Sequence, residues 1–140
     1  MQPKSTFYTS EINIISMRVK IDTKEAFHVI CIEESTLTAN MSADLASVIG
    51  AKQQVDTKSL IINLKNVISI EKAIATQLQA LHDQCYEQKK SFVVCELQSG
   101  VKKQLDEMEL LETLNYTPTE SEAWDIVQME EIERELDMEL

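Results

Sequence analysis

Among the side chains able to do chemistry, the pair Glu71-Lys72 occupies the most telling place. Before it run Leu60-Ile61-Ile62-Asn63-Leu64 and then Val67-Ile68-Ser69-Ile70, and after it Ile74, Leu78, Leu81 and Cys85 recur at offsets of four, three and four. The near-continuous apolar run suits a strand buried on both faces, and the later spacing is one stripe of a helix. A carboxylate and an ammonium at that change of period sit where an α/β domain presents a loop and a helix N-terminus to its partners. The chemistry this suggests is recognition by charge rather than bond making. The plainer alternative is a solvated loop. Helix stability alone does not favour the lysine, because a cation near a helix N-terminus is mildly unfavourable, by a few tenths of a kcal/mol to about 1 kcal/mol.

Other reactive groups are not gathered in a recognisable pattern. Cys31, Cys85 and Cys95 form no C-x-x-C pair, leave one thiol over in any disulfide scheme, and each lies among apolar residues. Buried free thiols in a reducing compartment fit best, with a redox or metal role as the sharper alternative. His28 and His82 are far apart with no co-ligand nearby in sequence, and His82 near a helix end is accounted for by solvation or the helix dipole. Carboxylates are plentiful, but none is paired with a histidine or cysteine as acid–base or nucleophilic work requires. With two glycines in 140 residues there is no phosphate-cradling glycine loop. The sequence predicts a non-enzymatic chain without a cofactor or metal.

Charge narrows the partners. From Pro118 to the C-terminus nine carboxylates stand against Arg134 alone, carrying −8 of the formal −11. Such a balance neutralises no phosphates, so nucleic acid and anionic membrane surfaces are disfavoured. No apolar run is long enough to cross a bilayer, and the N-terminal residues lack the basic and apolar regions of a secretory signal, so a cytoplasmic location is expected.

These groups must be held by one domain, since 140 residues suffice for a core without disulfides. Residues 1–16 read as an N-terminal arm, with some strand character at Glu11–Ile15, and Met17 as an alternative start. From Met17 the alternation of Arg18-Val19-Lys20-Ile21-Asp22 marks a half-buried strand, with Phe27–Ile32 as its hairpin mate. Glu33–Ala39 is a connection. A helix is predicted from Asn40 to about Lys52, with Leu45, Val48 and Ile49 inward and Ser42 and Asp44 helping to set its start. Gln53–Lys58 is loop, then come the central strand and helix, closed by Gln88-Lys89-Lys90. Ser91–Glu96 is another buried strand. A short helix after Ser99-Gly100 carries Val101, Leu105 and Met108, and Leu110, Leu111 and Leu114 return the chain to the sheet edge. Thr117–Glu120 is a turn before a last helix. In that helix Met129, Ile132, Leu136 and Leu140 form the stripe expected to pack on the domain, opposite an acidic solvated face. Docking to a basic partner, or self-association through the stripe, is the alternative. The class is α/β, with a mixed, mostly parallel sheet of four to five strands covered by about four helices over residues 17–140.

This layout resembles a STAS domain, the fold of anti-sigma factor antagonists. Three segments carry the resemblance. IINLKNVISIEKAIATQLQAL has the family's central strand, small loop and amphipathic helix, with Glu71 at the aspartate and Lys72 at the first serine of its Asp-Ser-Ser-Gly loop. SFVVCELQSGVKKQLDEMELLETLNYTPTESEA is similar to the following strand, short helix, closing strand and helix. MEEIERELDMEL resembles the acidic ending of a Bacteroidetes-like branch. In phosphorylatable members a kinase-type anti-sigma factor modifies the serine, and the added anion repels that partner. Here Lys72, Ala73 and Ile74 replace Ser, Ser and Gly, so the resemblance carries over the surface but not the phosphoswitch.

What the resemblance implies is a protein-interaction domain that binds an anti-sigma factor of the ATP-binding kinase family and displaces it from its sigma factor. The implied partner surface is Asn66, Ser69, Glu71, Lys72, Ala73 and Thr76, with Ser69 and Thr76 as nearby hydroxyls off the family position. The alternatives are a structural or ligand-sensing STAS module in a larger regulatory assembly, and a homodimer.

Overall fold

A computed structural model describes residues 17–139, so the expected arm at residues 1–16 lies outside the described residues. The chain order is β1 Val19–Thr23, β2 Phe27–Ile32, β3 Thr36–Leu37, a 3-10 turn at Ala39–Met41, α1 Ser42–Val55, β4 Ser59–Asn63 and β5 Ser69–Ile70. There follow α2 Lys72–Glu87, β6 Phe92–Cys95, α3 Ser99–Glu107, β7 Tyr116–Thr117 and α4 Glu120–Glu139. A five-stranded sheet has the order β1-β2-β4-β6-β7, antiparallel only at the β1–β2 hairpin. The expected class and sheet type are therefore observed.

Every residue of β4 is buried, which is what its unbroken apolar run demands when helices cover both faces. Alternation divides the core in two. Ile30, Ile32, Leu60, Ile62, Phe92 and Val94 face the side covered by α1, α2 and α3, where Leu45, Ile49, Ile74, Leu78, Val101 and Leu105 meet them. Phe27, Val29, Ile61, Val93 and Cys95 face α4, through Ala123 and Val127.

Four details differ from the sequence expectation. The Glu33–Ala39 connection contains β3, which pairs in parallel with β5 as a ladder apart from the main sheet. The chain leaves β4 in a turn closed by Val67 N–H to the Leu64 carbonyl at 3.0 Å and Lys65 N–H to Asn63 Oδ1 at 2.9 Å, so Val67–Ile70 cannot extend β4. Helix α1 begins at Ser42 and continues to Val55. Ser42 lies inside that helix rather than capping it, and its hydroxyl donates to Gln77 Oε1 of α2.

The fourth difference is the orientation of α4. Of its expected packing stripe, Met129, Ile132 and Leu136 point outward, each more than half exposed, and Leu140 lies outside the described residues. Small Ala123 and Val127 fit the close approach to the sheet. One and two turns further on, Glu130 and Arg134 face inward to bond Ser91, with Ser91 Oγ donating to Glu130 and Arg134 Nη2 donating to Ser91 Oγ. The helix starts with a cap in which Glu122 N–H donates to Thr119 Oγ1.

With so few glycines, left-handed backbone falls to other residues: Lys89, Glu96, Glu109 and Asn115 all have φ near +60°. Lys89 and Glu109 close α2 and α3 in the same way. Lys90 N–H reaches the Cys85 carbonyl and Lys89 N–H that of Tyr86, and Leu110 and Glu109 repeat this on Leu105 and Asp106. Gly50, by contrast, sits within α1 with ordinary helical backbone, and an added Cβ there would meet nothing within 4 Å. Gly50→Ala is expected to stabilise the fold by about 0.5–1 kcal/mol in urea unfolding, by lowering the entropy cost of that helix.

Candidate functional site

Cys31, Cys85 and Cys95 are free thiols, the latter two buried. Burial raises the Cys31 thiol, pushes Cys85 up to about 11, and with the nearby Glu120 and Glu96 carboxylates pushes Cys95 up to about 12. Little thiolate exists in any of them near neutral pH. His28 is fully buried, its Nε2 donating to the Asp56 carbonyl at 2.8 Å and its Nδ1 paired with Thr23 Oγ1 at 2.9 Å, so it ties the hairpin to the end of α1. His82 contacts the carboxylate of Asp83 at 3.0 Å and stacks near Tyr86 and Phe92. Among the described residues no group of three or more His, Cys, Asp and Glu is placed to hold a metal.

The strand–helix junction is built differently from a simple loop. Glu71 is the N-cap residue of α2, with extended backbone, but its side chain does not cap its own helix. Its Oε1 accepts from the Ala39 N–H at 2.8 Å, and its own N–H donates to the Leu37 carbonyl at 2.8 Å. The carboxylate therefore joins the start of α2 to the 3-10 turn before α1. Nearly two turns on, Gln77 Nε2 donates to the Ser42 carbonyl while Ser42 Oγ donates to Gln77 Oε1, a second clasp between α2 and the start of α1.

The other side of the junction is fixed by β3 and α3. Ile68 N–H donates to the Ser35 carbonyl at 2.7 Å, and Ile70 N–H donates to Gln104 Oε1 of α3 at 3.0 Å. Gln98 Nε2 donates to the Lys65 carbonyl, and Gly100 brings α3 so close that a Cβ there would stand 3.1 Å from the Ile68 carbonyl oxygen.

Of the sequence-derived residues, Glu71, Lys72, Ala73 and Thr76 lie exposed along the first turns of α2. Lys72 and Thr76 are one helical turn apart and share a face. Asn66 is exposed in the turn after β4, with Nδ2 3.8 Å from Cys31 Sγ, and Ser69 is half-buried within β5. Glu71 Oε1 accepts from Ala39 but its side chain stays exposed, so the junction presents a carboxylate beside the ammonium of Lys72, and no ion pair among the described residues involves Lys72. One further residue belongs to this surface. Ile68 is 59% exposed between Asn66 and Ser69. Sequence hides it inside Val67–Ile70, where its neighbours Val67 and Ile70 are buried; only the β3–β5 pairing reveals that Ile68 points away.

The STAS domain family model matches residues 18–123, and the chain belongs to that family. An anti-sigma factor antagonist from Mycobacterium paratuberculosis shares the fold with a TM-score of 0.69 and 19% identity, over 81% of this chain and 96% of that one. A serine-to-glutamate variant of RsbS from Moorella thermoacetica gives 0.65 and 19%, over 79% and 95%. The protein TM1081 gives 0.70 and 11%, over 91% and 98%. No curated protein matches by sequence.

Two outcomes follow from this geometry. Glu71→Ala removes the charged acceptor of the Ala39 N–H and is expected to cost about 1 kcal/mol in urea unfolding, with Glu71→Gln losing less. An aromatic disulfide reagent at about pH 8 is expected to modify half-buried Cys31 in the native protein, and Cys85 and Cys95 only on unfolding. Equal native rates for all three thiols would contradict the assigned burial.

Proposed function

We propose that this chain is an anti-sigma factor antagonist-like interaction domain that binds a kinase-type anti-sigma factor through the β5–α2 junction, without a phosphoswitch at the family position. The observation that carries this reading is an exposed first turn of α2, held from two sides and bearing Lys72. By the resemblance, Lys72 takes the position of the family's modified serine. A preformed surface binds without ordering cost. A fixed cation there cannot be switched to an anion by oxygen phosphorylation, so binding is constitutive or directed to an altered partner. The contact residues are Asn66, Ser69, Glu71, Lys72, Ala73 and Thr76, with Ile68 as their apolar neighbour. The domain works as a non-enzymatic regulator in the cytoplasm; no helix among the described residues is long and apolar enough to cross a membrane.

A second reading, a ligand-sensing module, is supported by a cavity of about 390 Å³ between α1 and α2 at the opposite end of those helices. Ile49, Leu60, Leu81 and Cys85 and the glutamines 53, 54, 84 and 88 line it. Its volume is within the range of small-molecule sites.

Affinity capture from the source cell, followed by titration of the recovered protein, tests the first reading. Recovery of an ATP-binding anti-sigma factor is expected, with affinity lowered at least about tenfold by Lys72→Glu and unchanged by Val55→Ser at the far end of α1. Recovery of only the chain itself or of transporter components would sink it. Incubation with that kinase and ATP is expected to leave the chain unmodified; phosphate on Ser69 or Thr76 would overturn the absence of a switch.

A further inference from the structure

The outer surface of α4 carries apolar side chains that the described residues leave largely exposed. Met129, Ile132 and Leu136 are 52%, 56% and 57% exposed and follow one another at three and four residues, so they share one stripe. The opposite side of the helix, through Ala123, Val127, Glu130 and Arg134, is occupied by the sheet and by Ser91. Of the other large exposed apolar residues, Ile68 belongs to the β5–α2 junction and Val55 stands alone, as scattered surface residues do. Three in register on one helix are a seam.

Charge decides what that seam accepts. Exposed carboxylates border it: Glu133 and Asp137 on one side, Glu135 on the other, and Glu122 and Asp125 in line with it towards the start of the helix. Arg134, the lone cation of α4, is turned inward, ion-paired with Glu130 and Glu131 and lying over the Tyr86 ring. A second copy would bring equally acidic flanks together, and an anionic lipid surface would be repelled. An amphipathic helix bordered by Lys and Arg meets both requirements, covering the stripe and neutralising its borders.

We propose that the outer face of α4 is a docking site for a basic amphipathic helix of a protein partner. Its apolar side chains lie over Met129, Ile132 and Leu136, and its cations meet the flanking glutamates and aspartates. The site is on the sheet face opposite α2, so it is separate from the β5–α2 junction and does not depend on the function proposed for that junction.

The test titrates the full chain with a labelled synthetic helix of about three heptads, leucine at the seam and lysine on the flanks. The controls are the same residues in scrambled order and the same helix with glutamate for lysine. The seam helix is expected to bind at least about tenfold more tightly than either control, more weakly as salt rises, and at least about tenfold more weakly to the triple variant Met129→Ser, Ile132→Ser, Leu136→Ser. Those side chains support no core, and circular dichroism of the variant checks that it folds. Equal binding of the scrambled peptide, or unchanged binding by the triple variant, would reduce the effect to general charge attraction and overturn the proposal. So would sedimentation showing a dimer of the chain that the triple variant dissolves, since the seam would then belong to a second copy.

Discussion

The structure depends on the complete burial of β4. Five residues with no solvent-facing side, Ser59–Asn63, oblige the chain to cover both faces of its sheet, and a strand so placed must also have a partner along each edge. The two polar residues in it are satisfied in ways that organise the ends. Ser59 Oγ accepts the Ser91 N–H where β4 and β6 begin. Asn63 turns the chain at the other end, its Oδ1 accepting from Lys65 N–H and its Nδ2 donating to Glu120 at the start of α4. One amide thus sets the exit of the central strand and the entry of the last helix.

The two sheet faces are covered unequally. Three helices share one face and are tied in by side-chain amides and hydroxyls, Ser42 of α1 with Gln77 of α2, Gln79 of α2 with Thr113 in the turn after α3, and Gln104 of α3 with the Ile70 backbone of β5. A single helix covers the other, holding on through Ala123 and Val127, the edge of Trp124 against Phe27, and a polar group around Ser91, with Tyr86 donating to Glu130. The first arrangement makes a rigid platform under the β5–α2 junction. The second leaves most of the circumference of α4 in solvent.

How much of this could be read from sequence follows from the range of the interactions involved. The α/β class was legible because β4 and β6 are apolar runs and α2 keeps its spacing for about three turns. The two-residue strands β3 and β5 were not, since such short pieces have no period and exist only through pairing with each other. In α4 the helix was legible and its orientation was not. Periodicity finds a stripe but cannot tell inward from outward when the inward side is Ala, Val and a bonded Glu–Arg pair. At the junction, the place of Glu71-Lys72 was evident from the change of period. The diversion of the Glu71 carboxylate to a backbone N–H 32 residues earlier has no local signature.

The left-handed residues carry one more consequence. Helices α2 and α3 end in the same hydrogen-bonded cap, yet the residue that must adopt φ near +60° is Lys89 in one and Glu109 in the other, where glycine would be unstrained. An L-residue with a side chain resists that conformation by roughly 1–2 kcal/mol. Neither cap is favoured by its own sequence, so each is held by what packs beyond it, Leu110 against the core in α3 and buried Ser91 and Phe92 after α2. The helix ends are therefore a product of the finished core, not a guide to it.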